Sequence, residues 1–139
     1  MPLYHCLVPA GSLDADTRAA LAEAISTVHF SVTNVPPSFV HVVFTGYEPS
    51  ACYTGGRPDT LSVISATIRS DFEIGMRGQL LTRLSGSWSS ITGNAAHQIL
   101  VYLNEIDPTS AMEGGMILPG RGEEAIWAQQ HSRELHGPQ

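Results

Sequence analysis

The stretch TLSVISATIR, residues 60–69, decides the fold, because its β-branched content and its alternation of apolar and polar positions make it a strand. SDFEIGMRGQLLTRLSGSWSSITG (70–93) follows it with Met76, Leu80, Leu84 and Trp88 every fourth residue, Leu81 and Ile91 alongside, and Gly93 as a helix-ending C′ residue. That is a helix. HQILVYLNEI (97–106) then returns to strand composition, so the segment reads as one β-α-β unit.

Working outward, the same order appears earlier in the chain. PLYHCLVPA (2–10) alternates His5 and Leu7 against Cys6 and Val8. GSLDADTRAALAEAISTVHFSV (11–32) reads as a helix, with Asp14 as N-cap, Asp16 complementing the dipole, and Leu21, Ala24, Ile25 and Val28 at three- and four-residue spacing. NVPPS (34–38) stops it, since a proline disfavours helical geometry in the residue before it. SFVHVVFTGY (38–47) is a strand, and EPSACYTGGRPDT (48–60) is turn-rich and expected to be a long irregular connection. The chain therefore holds two β-α-β units, 2–46 and 60–106, roughly 60 residues apart. Beyond them, 107–139 reads as a C-terminal arm: a glycine-rich connector GGMILPGRG (114–122), a short helix in EEAIWAQQHSREL (123–135), and a frayed tail HGPQ (136–139).

The expected fold is α+β: one domain over 1–139, with a four-stranded sheet and two helices on one of its faces. Two helices and a tail leave sheet edges and apolar surface uncovered, which favours packing against other copies of the chain.

Composition narrows the function. A net charge of −6, with no basic patch interleaved with aromatics, argues against nucleic acid and against an acidic membrane surface as partners. No apolar run approaches a membrane span and no basic segment leads into an apolar one, so a cytoplasmic location is the expectation. Cys6 and Cys52 lack a C-x-x-C spacing and read as small hydrophobes in a reducing compartment. All seven basic residues are arginine. A Walker-type phosphate loop and a lysine Schiff base are thereby excluded. The six histidines form neither an H-x₃-H pair nor H-E-x-x-H, so neither a metal nor another cofactor is expected.

Pro2 directly behind Met1, the duplicated β-α-β pattern, VH at 28–29, IRSDF at 68–72, VYLNE at 101–105 and MEGG at 112–115 together resemble the tautomerase superfamily, in the branch of cis-3-chloroacrylic acid dehalogenase. The resemblance implies removal of Met1, which leaves Pro2 as a free secondary amine. An α-amino group ordinarily titrates near ~7.7–8.0. Burial lowers that value and carboxylates raise it, so the amine is available as a base or as an acid. By the same resemblance Arg69 holds a substrate carboxylate, a task suited to its planar fork, and His29 assists it. Tyr102 and Glu113 correspond to the pair that directs water.

One position departs from the pattern. The dehalogenases carry a second arginine three residues after the first, and here that residue is Phe72. A charged hydrogen bond is worth about 1.5–3 kcal/mol, so its loss weakens binding of a small anion roughly 10- to 200-fold. Phe72 also gives the pocket an apolar wall suited to a larger aromatic enol such as phenylpyruvate. The expectation is a cofactor-independent keto–enol tautomerase acting on a small anionic 2-keto or unsaturated carboxylate, with hydratase or weak dehalogenase activity as a second possibility. The resemblance further implies a homotrimer; whether Arg57, Arg77 or Arg121 of a neighbouring copy replaces the missing arginine is not set by the sequence. The alternative is a catalytically idle binding or signalling module on the same fold.

Overall fold

The computed structural model describes residues 1–136, with side chains described through Gln130; most of the tail expected to fray, Gly137 to Gln139, lies outside the described residues. The chain runs β1 (Leu3–Pro9), α1 (Ala15–Thr33), β2 (His41–Tyr47), β3 (Tyr53–Thr54), β4 (Arg57–Pro58), β5 (Ser62–Arg69), α2 (Ile74–Thr92), β6 (Ile99–Ile106), β7 (Met112–Glu113), β8 (Met116–Ile117) and α3 (Glu124–His136). Among these helices none is long and apolar enough to cross a membrane.

Local chemistry sets the helix ends. The Asp14 carboxylate accepts from the Thr17 N–H at 2.7 Å, satisfying one of the orphan donors at the start of α1. Asn34 closes that helix in the left-handed region at φ 64°, where its short polar side chain is tolerated. Gly93 closes α2 at φ 76°, as its lack of Cβ allows.

The sheet order is β2-β1-β5-β6. β1 runs parallel to β2, β5 runs parallel to β6, and the two units meet at an antiparallel β1–β5 seam with Leu3 opposite Thr67 and Tyr4 opposite Ala66. The duplication is strict in register: 15 to 74 at the helix starts, 34 to 93 at the left-handed caps and 55 to 114 at the glycine turns, 59 residues each time. It extends into the connection expected to be irregular, 48–60, and into its counterpart at the start of the C-terminal arm. Each contains a 3₁₀ turn and then a two-residue hairpin, β3–β4 and β7–β8, turned by Gly55–Gly56 and Gly114–Gly115, all four at positive φ.

Both long helices cover the same face of the sheet. Tyr4, Cys6, Ile64, Ala66 and Ile68 point into that layer and meet Leu21, Ile25 and Val28 of α1 and Leu80, Leu84 and Trp88 of α2. Each buried Leu, Ile or Val among them contributes on the order of 1.5–3 kcal/mol by leaving water. The opposite face stays open: Leu3, Val43, Leu100 and Tyr102 are exposed on it. The alternation of each strand thus places Tyr4 under the helices and Tyr102 on the bare side.

Candidate functional site

At the start of β1 the chain terminus is held by a carboxylate. The Met1 ammonium donates to Glu113 Oε2 at 2.9 Å, and the second oxygen of Glu113 pairs with His41 Nε2. His41 is in turn fixed to the terminus, because its backbone N–H donates to the Pro2 carbonyl at 3.0 Å. Pro2 itself is buried. Glu113 reaches this point because the β7–β8 hairpin turns through two glycines with left-handed backbone, a geometry costly for residues bearing a Cβ. Partial burial works against the charge of Glu113, but hydrogen bonds from the terminal amine and from His41 outweigh it, and its carboxyl is held below the usual range.

A second group lies on the helix side of the sheet. His29, fully buried in α1, accepts or donates at Nδ1 with the Tyr4 hydroxyl at 2.8 Å, and the rings meet edge to face. Its other nitrogen, Nε2, is buried and has no hydrogen-bond partner among the described residues. Burial, then repulsion from Arg69 and from the terminal amine, pushes the imidazole down to about 4, so it is neutral near pH 7. Phe72 is buried against both neighbours: its ring lies edge-on to His29, and the Arg69 guanidinium sits 5.4 Å from its centroid.

Arg69, at the end of β5, is 3% exposed and already has internal partners. Nη1 donates to the Pro119 carbonyl at 2.8 Å and Nη2 to Glu124 Oε1 at 2.6 Å, while Asp71 stands 3.8 Å from Nε. Burial opposes ionisation of Glu124, yet the Arg69 hydrogen bond overrides it and holds the carboxyl below its usual range.

The structure therefore gathers Glu113 with the terminus, and His29, Arg69 and Phe72 with one another; the terminal amine's repulsion of His29 links the two groups electrostatically. Tyr102 stands apart. It lies on β6, an outer strand of the sheet, opposite Ser65 of β5, and its side chain is exposed on the bare face. Tyr4, His41 and Glu124 were not singled out from the sequence. Tyr4 carried one usable signal, its inward position two residues after Pro2 in the strand alternation.

The duplication supplies an internal comparison. At the equivalent corner a cavity of about 280 Å³ is lined by Leu13, Thr60, Ser62, Thr92, Asn94 and Gln98. Pro2, Arg69, His29, Phe72 and Glu113 correspond there to Leu61, Ala10, Trp88, Leu13 and Thr54. None of these side chains carries a charge or exchanges a proton near pH 7.

The Tautomerase_3 family model, "Putative oxalocrotonate tautomerase enzyme", matches residues 1–132, and the chain belongs to that family. It falls in the cis-3-chloroacrylic acid dehalogenase-like branch of the tautomerase superfamily, an enzyme superfamily. The crystal structure of N1, a member of the cis-3-chloroacrylic acid dehalogenase family, superimposes with a TM-score of 0.88 at 26% identity, covering 96% of this chain and 99% of that one. Native Ps01740 is 32% identical, with a TM-score of 0.77 over 80% of this chain and 99% of its own. A fused 4-OT wild-type symmetric trimer matches in fold, with a TM-score of 0.77 at 15% identity over 84% of this chain and 94% of that one. A comparison with curated proteins gives no match.

Proposed function

We propose that the chain is a cofactor-independent tautomerase whose base is the Pro2 amine, freed by removal of Met1, acting on a small 2-keto or enol carboxylate such as phenylpyruvate. The observation that carries this reading is the carboxylate of Glu113 at 2.9 Å from the Met1 ammonium, one residue before Pro2, with an arginine and a neutral histidine grouped beyond it. With Met1 removed, Glu113 is the nearby carboxylate that stabilises the ammonium formed when the Pro2 amine takes a proton. In the proposed step Pro2 takes the proton of the enol hydroxyl and returns one to carbon. Arg69 and His29 hold the substrate carboxylate, and Phe72 supports an aromatic ring. On an acetylenic or allenic acid the same amine, as a cation, protonates carbon while Tyr102 and Glu113 direct water.

Tyr102 can join the site only from another copy, since its own strand exposes it on the bare face. The proposed assembly is a homotrimer that covers that face. Arg77 and Arg121 already pair with Glu105 and Glu73 within the chain, which leaves Arg57 as the better candidate for an added cation from a neighbour. A cytoplasmic location fits the reading.

The test is a panel of 2-keto and unsaturated three-carbon acids, with a pH–rate profile and an intact-mass measurement on the same sample. Turnover with loss of Met1 is the expected result. A chain that keeps Met1 has no amine at Pro2; such a result, with no turnover on the panel, would favour the binding-module reading.

A further inference from the structure

The Tyr4–His29 contact admits two proton arrangements, and the surroundings distinguish them. If Nδ1 carries the hydrogen and donates to the Tyr4 oxygen, the Tyr4 O–H must find another acceptor, and among the described residues His29 is its one hydrogen-bond partner. Nε2 would then be a bare acceptor, also unpartnered. That leaves two buried orphans. If instead the Tyr4 O–H donates to Nδ1, the hydroxyl and Nδ1 are both satisfied and the hydrogen of the ring sits on Nε2, the group still without a partner. That leaves one. Since each buried polar group without a partner forfeits its hydration, the second arrangement is the more stable. Tyr4 has no other exit, because it is fully buried and burial holds its hydroxyl protonated well above the ordinary phenol range.

We propose that Tyr4 is a positioning residue that locks His29 in its Nε2–H tautomer, so that the imidazole offers one uncharged hydrogen-bond donor to an oxygen of the anionic substrate beside Arg69. The inference rests on the proposed tautomerase reading for the identity of the acceptor. It explains why a fully buried histidine keeps one nitrogen unpartnered among the described residues, as Asp71 Oδ1 beside Arg69 also does: the donor on His29 is completed by the ligand. It also divides the work of binding. Arg69 supplies charge, and His29 supplies direction without a second cation, which Phe72 at the neighbouring position does not supply either. A neutral donor discriminates in favour of an oxygen acceptor and adds little to the attraction of anions in general.

The experiment is ¹⁵N-detected imidazole NMR on the full chain, wild type and Tyr4→Phe, with steady-state kinetics on phenylpyruvate. In the wild type His29 Nε2 is expected to be pyrrole-like and Nδ1 pyridine-like near pH 7. Tyr4→Phe should shift part or all of the population to the other tautomer and lower kcat/KM about tenfold, chiefly through KM. A pair of variants guards against a merely destabilised Tyr4→Phe protein: His29→Gln, whose amide nitrogen reaches the Nε2 position, should retain more activity than His29→Asn, whose amide nitrogen mimics Nδ1. A wild-type spectrum with the hydrogen on Nδ1 would overturn the proposal, as would a Tyr4→Phe protein with unchanged tautomer and unchanged KM. Because the spectrum needs no turnover, failure of the tautomerase reading would show as an inactive wild type with the Nε2–H signature intact.

Discussion

Glu124→Gln isolates the electrostatic role of the carboxylate that already sits on Arg69. Glutamine keeps an oxygen to accept from Nη2, so the 2.6 Å contact and the guanidinium's orientation are retained while a unit of negative charge is removed. A substrate carboxylate bound to the remaining donors of Arg69 would lie roughly 6 Å from that charge. At an effective dielectric of about 20 the repulsion is on the order of 3 kcal/mol. Solvent at the partly exposed Glu124 and side-chain relaxation reduce this to about 1 kcal/mol, or roughly a fivefold fall in KM for an anionic substrate at low salt. The assay is steady-state tautomerisation of phenylpyruvate with salt as the second variable, paired with the thermal midpoint. The gain should shrink as salt rises, because the lost repulsion is itself screened. A KM that is unchanged or raised at low salt, with the fold intact, would mean that no substrate carboxylate approaches Arg69 and that the Arg69–Glu124 pair only ties α3 to the sheet.

Pro2→Ala, with Met1 removed, should lower kcat strongly, since a primary amine differs in basicity and freedom from the ring-held secondary one; full activity would take Pro2 out of the mechanism. Arg69→Ala should cost about 1.5–3 kcal/mol in kcat/KM and also destabilise the fold, because Glu124 and Asp71 would lose their cation; a change in thermal stability alone would make the residue structural. Acid stability follows from His29: its folded value of about 4 lies below the unfolded ~6.5, so the unfolded chain binds the extra proton. Stability contributed by the neutral ring is complete above about pH 6.5 and falls by on the order of 3 kcal/mol as pH drops to 4, and denaturant titrations of His29→Gln should lose that slope. Phe72→Arg would put a second cation where the ring now lies 5.4 Å from the Arg69 guanidinium, so its midpoint should drop and recover when a monocarboxylate is added; no recovery would place Phe72 outside the anion site.

The scaffold was readable because its signals are short-range. Leu80, Leu84 and Trp88 at four-residue spacing, and Tyr4 and Cys6 in strand alternation, each report their own element, and the repeat of the pattern indicates the paired units. The two hairpins escaped that reading because two-residue strands show no periodicity, although the glycine pairs at 55–56 and 114–115 share one spacing and were visible as such. Site contacts escaped for a different reason. His41 meets Glu113 across 72 residues and Arg69 meets Glu124 across 55, distances at which no local pattern specifies a partner. Resemblance to a family can point to Arg69; only the packed chain shows that a carboxylate of its own occupies it.

That occupation bears on how one candidate site arises from a duplicated framework. At the position equivalent to Pro2, Leu61 is an internal residue whose N–H donates to the Tyr47 hydroxyl at 2.9 Å, while its carbonyl accepts from the same hydroxyl at 2.6 Å. An amide so placed has no basic lone pair, so no side-chain change in the second unit would give it an amine. The asymmetry is deepened at the other end of the chain. Pro119 and Glu124 follow the second hairpin, beyond the last duplicated element, and both act on Arg69. Arg69 and Glu113 lie on duplicated elements, while the terminal amine and Glu124 bring the remaining charge from the chain terminus and from the appended α3. A terminus and an appended helix can change without disturbing a shared core, which is where differences in substrate charge among proteins of this fold would be least costly to introduce.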